Sequence, residues 1–172
     1  MLEKNTFVVY GDNGVCQIVD KRKEKFAGQF KEYYILKPAN HEASTFYVPV
    51  DNEHLLSKIR TILSKEEILD LIRSVAGDSL EWIDDNRIRN ETYREFFNRG
   101  DSRELLLLLK SLHLHRQARQ EEGKKLWTVD ETAMKHAEKL IYEEFATVLE
   151  ITEDEVVPFI MDIVQSAEAQ ET

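Results

Sequence analysis

The spacing of apolar residues changes once along this chain, near Ser64, and that change limits the fold more than any single motif does. Before it, short runs of β-branched and aromatic residues alternate with turn formers: "TFVVYGDNGVCQIV" (6–19), "QFKEYYILK" (29–37), "STFYVPV" (44–50) and "KIRTI" (58–62). The Gly-Asp-Asn-Gly at 11–14 tolerates positive φ between two strand-like runs, so the first stretch reads as a β-hairpin. "PANHEA" supplies a Pro and an Asn for a later turn. Five short strands in about sixty residues, with no helical period among them, predict a small SH3-like or Tudor-like β-barrel and not a βαβ unit.

From Ser64 onward the period is helical. Ser64 with Glu67, Asp101 with Glu104, Thr128 with Glu131 and Thr152 with Glu155 each place a capping oxygen three residues before a Glu. Gly77, Gly100 and Gly123 fall where the preceding helices would end, as left-handed C-caps. These signals predict helices over 65–76, 84–99, 102–121, 129–149 and roughly 153–164, the last kinked or late-starting because Pro158 is too deep for a first-turn proline. "ELLLLLKSLHLH" is apolar nearly all round and marks the central helix. The expected fold class is α+β: a β-barrel over 1–62, then a compact all-helical domain over 63–172 with an acidic tail.

Composition narrows the function. No run approaches the ~18 apolar residues of a membrane span, and "MLEKNTF" lacks the basic-then-apolar order of a signal peptide, so a soluble cytoplasmic protein is expected. The one cysteine, Cys16, sits in a strand and reads as a small buried hydrophobe. Glycine-rich phosphate loops, the nucleophile elbow and paired-cysteine motifs are absent. His113 and His115, two apart on a helix, point about 200° from each other and cannot share a metal. These absences predict a non-enzymatic protein with no cofactor.

The charge of −10 is unevenly spread. Residues 84–125 hold ten basic and eight acidic residues, while the last twenty hold six acids and no base. The middle therefore remains a weak candidate for facing phosphates. Within it Trp82 precedes a helix start and is followed by Arg87, Arg89 and Arg94. Such an indole either packs at a helix junction or, beside guanidiniums that hold phosphates, wedges against a base step. Trp127 reads as packing that fixes the start of the next helix.

Residues 4–165 resemble the bacterial CarD/CdnL family of transcription regulators, and the first domain is similar to the polymerase-interacting domain of the transcription-repair coupling factor. The matching stretches are "VVYGDNGVCQIV", "KEYYILK", "YVPV", Trp82, "NRGD" (98–101), "LLKSL", "EEG" and "MKHAEKLIYEEF". The resemblance implies a β domain that docks on the RNA polymerase β subunit, and a helical domain that reaches promoter DNA at the upstream edge of the transcription bubble. There a tryptophan, matched by Trp82, wedges into the minor groove and favours the open complex, with Arg87, Arg89 and Arg94 as DNA contacts. Two positions where relatives carry polymerase-contacting arginines fall on Glu24 and Tyr47, with Lys23 and Lys25 beside the first. Two family lysines fall on Glu131 and His136, so the DNA contact is expected to be weak and polymerase-dependent. The free protein is expected to be a monomer with no membrane partner. The alternative is an adaptor of the same fold whose helical domain binds another protein.

Overall fold

The structure, a computed structural model, describes residues 2–40 and 43–171. It divides into two compact units, Met1–Ile62 and Leu63–Thr172, each with its own core.

The first unit holds β1 (Phe7–Tyr10), β2 (Val15–Phe26), β3 (Gln29–Pro38), β4 (Phe46–Pro49) and β5 (Ile59–Thr61), with a one-turn helix α1 (Glu53–Leu56) before β5. All pairings are antiparallel and the strand order is β4-β3-β2-β1-β5. The Gly11–Gly14 turn holds both glycines at positive φ, 48° and 75°, which is the freedom the hairpin needs there. Val8, Tyr10, Cys16, Ile18, Tyr34, Leu36 and Val48 form the core, and α1 lays Leu55 and Leu56 against it. Of the "PANHEA" connection, His41 and Glu42 lie outside the described residues.

β2 runs seven residues beyond Val19, through a bulge at Ile18/Asp20, and pairs with β3 down to Phe26↔Gln29. Its sequence "KRKEKF" has no apolar alternation because this distal part is solvated on both sides. A two-residue turn closes it, with Ala27 at φ 48° and Gly28 at φ 82°.

The second unit packs α2 (Lys65–Ala76), α3 (Asn86–Arg99), α4 (Ser102–Glu121), α5 (Thr128–Leu149) and α6 (Glu153–Gln170). Leu105–Leu109 and Leu112 of α4 are all buried, so this helix is central. Ser64 and Glu67 make a full capping box at 3.1 and 2.7 Å, and Gly100 is a left-handed C-cap at φ 63°. Four boundary expectations are corrected. Asp85 caps α3 by accepting from Arg87 and Ile88 N–H, so that helix begins two residues late. Thr128 lies inside α5, whose N-cap is Trp127, and Glu131 pairs with Lys135 instead of closing a capping box. Gly77 has φ −93° and needs no left-handed freedom, because Lys110 Nζ reaches across to the Val75, Ala76 and Asp78 carbonyls. The α6 helix starts at Glu153 and continues through Pro158 to Gln170, past the expected end at 164.

Candidate functional site

In the first unit the candidate residues lie on the solvated part of the β2–β3 ribbon and on β4. Lys23 and Lys25 are exposed and share one face of β2; Glu24 points to the other. Across the ribbon Lys23 faces Glu32, Glu24 faces Lys31 and Lys25 faces Phe30. Glu24 Oε1 pairs with Arg22 Nε at 2.8 Å, so its charge is answered within its own strand. Phe26 and Phe30, at 75% and 71% exposed, are the two most exposed large hydrophobics among the described residues. The Lys25 ammonium lies 5.8 Å from the Phe30 ring centre. Tyr47, on the edge strand β4, is half exposed and meets Tyr33 edge-to-face at 6.3 Å. Sequence reasoning missed the two phenylalanines; an aromatic on each side of the Ala-Gly turn, in a stretch otherwise dominated by charge, was the available signal.

In the second unit Trp82 sits in the segment between α2 and α3. It is half-buried against the helical core and stacks on His115 of α4, with ring centres 3.6 Å apart and planes 15° from parallel. The Arg89 guanidinium carbon lies 4.6 Å from the Trp82 ring and 5.2 Å from Trp127. Trp127 is 42% exposed and carries the Arg119 guanidinium at 4.4 Å over its ring.

Arg89 is not available to DNA. It is 2% exposed, and its five N–H donors make five hydrogen bonds. Nε and Nη2 donate to the two Asp130 carboxylate oxygens at 2.8 and 2.9 Å, and Nη2 also to Asn86 Oδ1 at 2.7 Å. Nη1 donates to the backbone carbonyls of Ile83 and Asp84 at 2.8 and 3.3 Å. Asp130, fully buried, also accepts from Tyr93 Oη–H at 2.7 Å. Burial alone would weaken the Arg89 charge, but the Asp130 hydrogen bonds and charge outweigh it and hold the guanidinium protonated. The same burial, with the Asp130 contact, pushes the Tyr93 hydroxyl well above its ordinary range. The closeness of Arg89 to Trp82 in sequence could not show a partner forty-one residues away on α5. Arg87 and Arg94 are both exposed.

Burial holds the His115 imidazole below its ordinary value, with Asp130 and Asp84 opposing the shift and the Arg119 and Arg89 charges adding to it. Its Nε2 is buried with no protein partner. His113 pairs instead with Arg116 and Glu138, so the two imidazoles serve different contacts. Among the described residues no cluster of His, Cys, Asp and Glu is placed to hold a metal ion. Among the described residues no helix is long and apolar enough to cross a membrane.

The chain thus carries a five-stranded antiparallel sheet domain, with the candidate residues on its surface, and a separate helical domain. The sequence of the first unit assigns that unit to a domain family. Residues 2–60 match the CarD-like/TRCF RID domain, so the N-terminal unit belongs to the CarD-like/TRCF RNA polymerase-interacting domains. Residues 61–172 lie outside that match. No curated protein sequence matches the chain.

Proposed function

We propose that this protein is a non-enzymatic regulator of transcription initiation. Its first domain docks on the RNA polymerase β subunit, and its helical domain brings Trp82 to promoter DNA at the upstream edge of the bubble, where the indole favours the open complex. The observation that carries the reading is the polymerase-interacting domain at residues 2–60, followed in the same chain by a domain with a surface-reaching tryptophan.

On the β domain, Phe26, Phe30 and Tyr47 supply the apolar contact area, and Lys23 and Lys25 supply steering charge. Glu24, tied to Arg22, contributes little of its own. On the helical domain Arg87 and Arg94 remain as phosphate contacts, whereas Arg89 supports Trp82 from below. Residues 1–62 carry nine Lys/Arg against eight Asp/Glu, which leaves residues 63–172 at net −11. The free protein therefore binds duplex DNA weakly, and polymerase docking supplies the local concentration that the helical domain needs. The protein acts as a monomer and needs no membrane.

That −11 charge is also the observation behind the second reading, in which the helical domain binds another protein. Photo-crosslinking from position 82 in an initiation complex separates the two. Crosslinks to promoter DNA beside the upstream edge of the bubble support the first reading, and crosslinks confined to protein support the second. An isolated 1–62 fragment that folds yet does not bind the β subunit would contradict the docking claim.

A further inference from the structure

We infer that Asp130 is a positioning residue for Trp82, acting through Arg89. The inference rests on the Trp82 reading for its consequence in transcription, but its physical content, the fixing of one indole, can be measured without DNA.

Arg89 has two kinds of partner. The Asp130 carboxylate anchors the guanidinium to α5 with two parallel hydrogen bonds at 2.8 and 2.9 Å, the geometry that fixes the plane of the fork. The opposite edge of the same fork holds the carbonyls of Ile83 and Asp84, the two residues that follow Trp82. The chain leaving the indole is thus tied to α5 through one rigid planar group. That group also lies 4.6 Å from the Trp82 ring, and His115 stacks on the indole at 3.6 Å. Residues 79–85 have no helix or strand of their own to hold them. An Arg–Asp pair this buried need not stabilise a fold more than apolar residues of similar volume would, whereas hydrogen bonds to two loop carbonyls are something apolar residues cannot supply.

This contrast gives the test. Arg89→Met, Tyr93→Phe and Asp130→Leu together replace the buried network by apolar side chains and leave no orphaned polar partner among the three. Trp127→Phe in the same full-length chain makes Trp82 the only indole. The triple variant is expected to keep its helical circular dichroism and cooperative melt. Its Trp82 emission should shift to the red and acrylamide quenching should rise severalfold, as the loop is released. Arg89→Lys, which keeps a charge for Asp130 but lacks the fork that reaches both carbonyls, should move the same signals and serves if the triple variant does not fold. With polymerase and promoter, open-complex lifetime should fall to that of Trp82→Ala, about tenfold if the indole supplies about 1.4 kcal/mol at the edge step, while affinity for polymerase stays unchanged. Folded variants whose Trp82 emission and quenching match the parent overturn the inference. A released Trp82 with an unchanged open-complex lifetime leaves the positioning role standing and contradicts the wedge.

Discussion

The two domains expose their candidate contact residues in opposite ways. On the β domain, Lys23, Lys25, Phe26, Phe30 and Tyr47 stand out from a ribbon and an edge strand, and none of them belongs to the core. On the helical domain, Trp82 is half-buried, stacked on His115 and underpinned by a buried Arg–Asp pair. The difference teaches where binding and stability can be separated. A substitution on the ribbon changes a surface and little else, but one around Trp82 changes a surface and the packing beneath it.

The largest stability effect is expected for Asp130→Ala. It strands the Arg89 charge and the Tyr93 hydroxyl in the interior, a loss of about 3–5 kcal/mol by the usual cost of breaking a buried ion pair. Because the two units have separate cores, differential scanning calorimetry should show the loss in the helical transition alone. A matching fall in the β-domain transition would contradict their independence.

Next comes Trp82→Ala, expected to destabilise the helical domain by roughly 1–3 kcal/mol, as half-buried aromatic truncations do, because it also uncovers His115. Chemical denaturation followed by circular dichroism measures this.

Acid acts on the same packing. His115 and His113 are both held below their ordinary value of 6.5 chiefly by burial. The unfolded chain therefore binds their protons first, and the helical domain loses stability as the pH falls below about 6.5, not as it rises. The carboxylate of Asp78, held low mainly by its Arg103 hydrogen bond, titrates only in more acidic solution and does not enter this window. Melting curves between pH 7.5 and pH 5.5 check the slope, and His115→Gln should flatten part of it. A slope of the opposite sign would refute the neutral, stacked imidazole.

The smallest stability effect is expected at the ribbon tip. Phe26→Ser with Phe30→Ser should change the melting free energy by less than about 0.5 kcal/mol, as exposed positions do. Affinity for polymerase should nevertheless fall about tenfold or more, measured by biolayer interferometry, as for exposed aromatic anchors. Charge reversal at Lys23 and Lys25 should act mainly on the association rate and its salt dependence. If the Phe variant binds like the parent, the anchors lie elsewhere on the domain.

What the sequence made legible divides along physical lines. Buried helices are readable: a one-sided apolar period predicts α2 over 65–76, and an unbroken apolar run between the Asp101 cap and Gly123 predicts α4 over 102–121, as observed. The outer half of β2 is not, because both of its faces are solvated and nothing there forces alternation. Caps made by local side chains, such as Ser64 and Asp101, could be read from three-residue spacings. The end of α2 could not, since the lysine that caps its carbonyls comes from α4. The site followed the same rule. Trp82 was found because it stands beside arginines in sequence, and Arg89 was misassigned because its true partner, Asp130, is near only in the fold. Trp127, expected to pack, is 42% exposed, because Arg119 and Arg89 cover its ring without enclosing it.

The central claim, that an RNA polymerase-interacting protein uses Trp82 to hold the promoter open, meets its most direct test in the lifetime of open complexes after a competitor traps free polymerase. The parent protein is expected to lengthen that lifetime, and Trp82→Ala, folded and bound to polymerase as tightly as the parent, is expected to return it about tenfold toward the value for polymerase alone. A Trp82→Ala protein that docks normally and lengthens the lifetime as much as the parent would contradict the account.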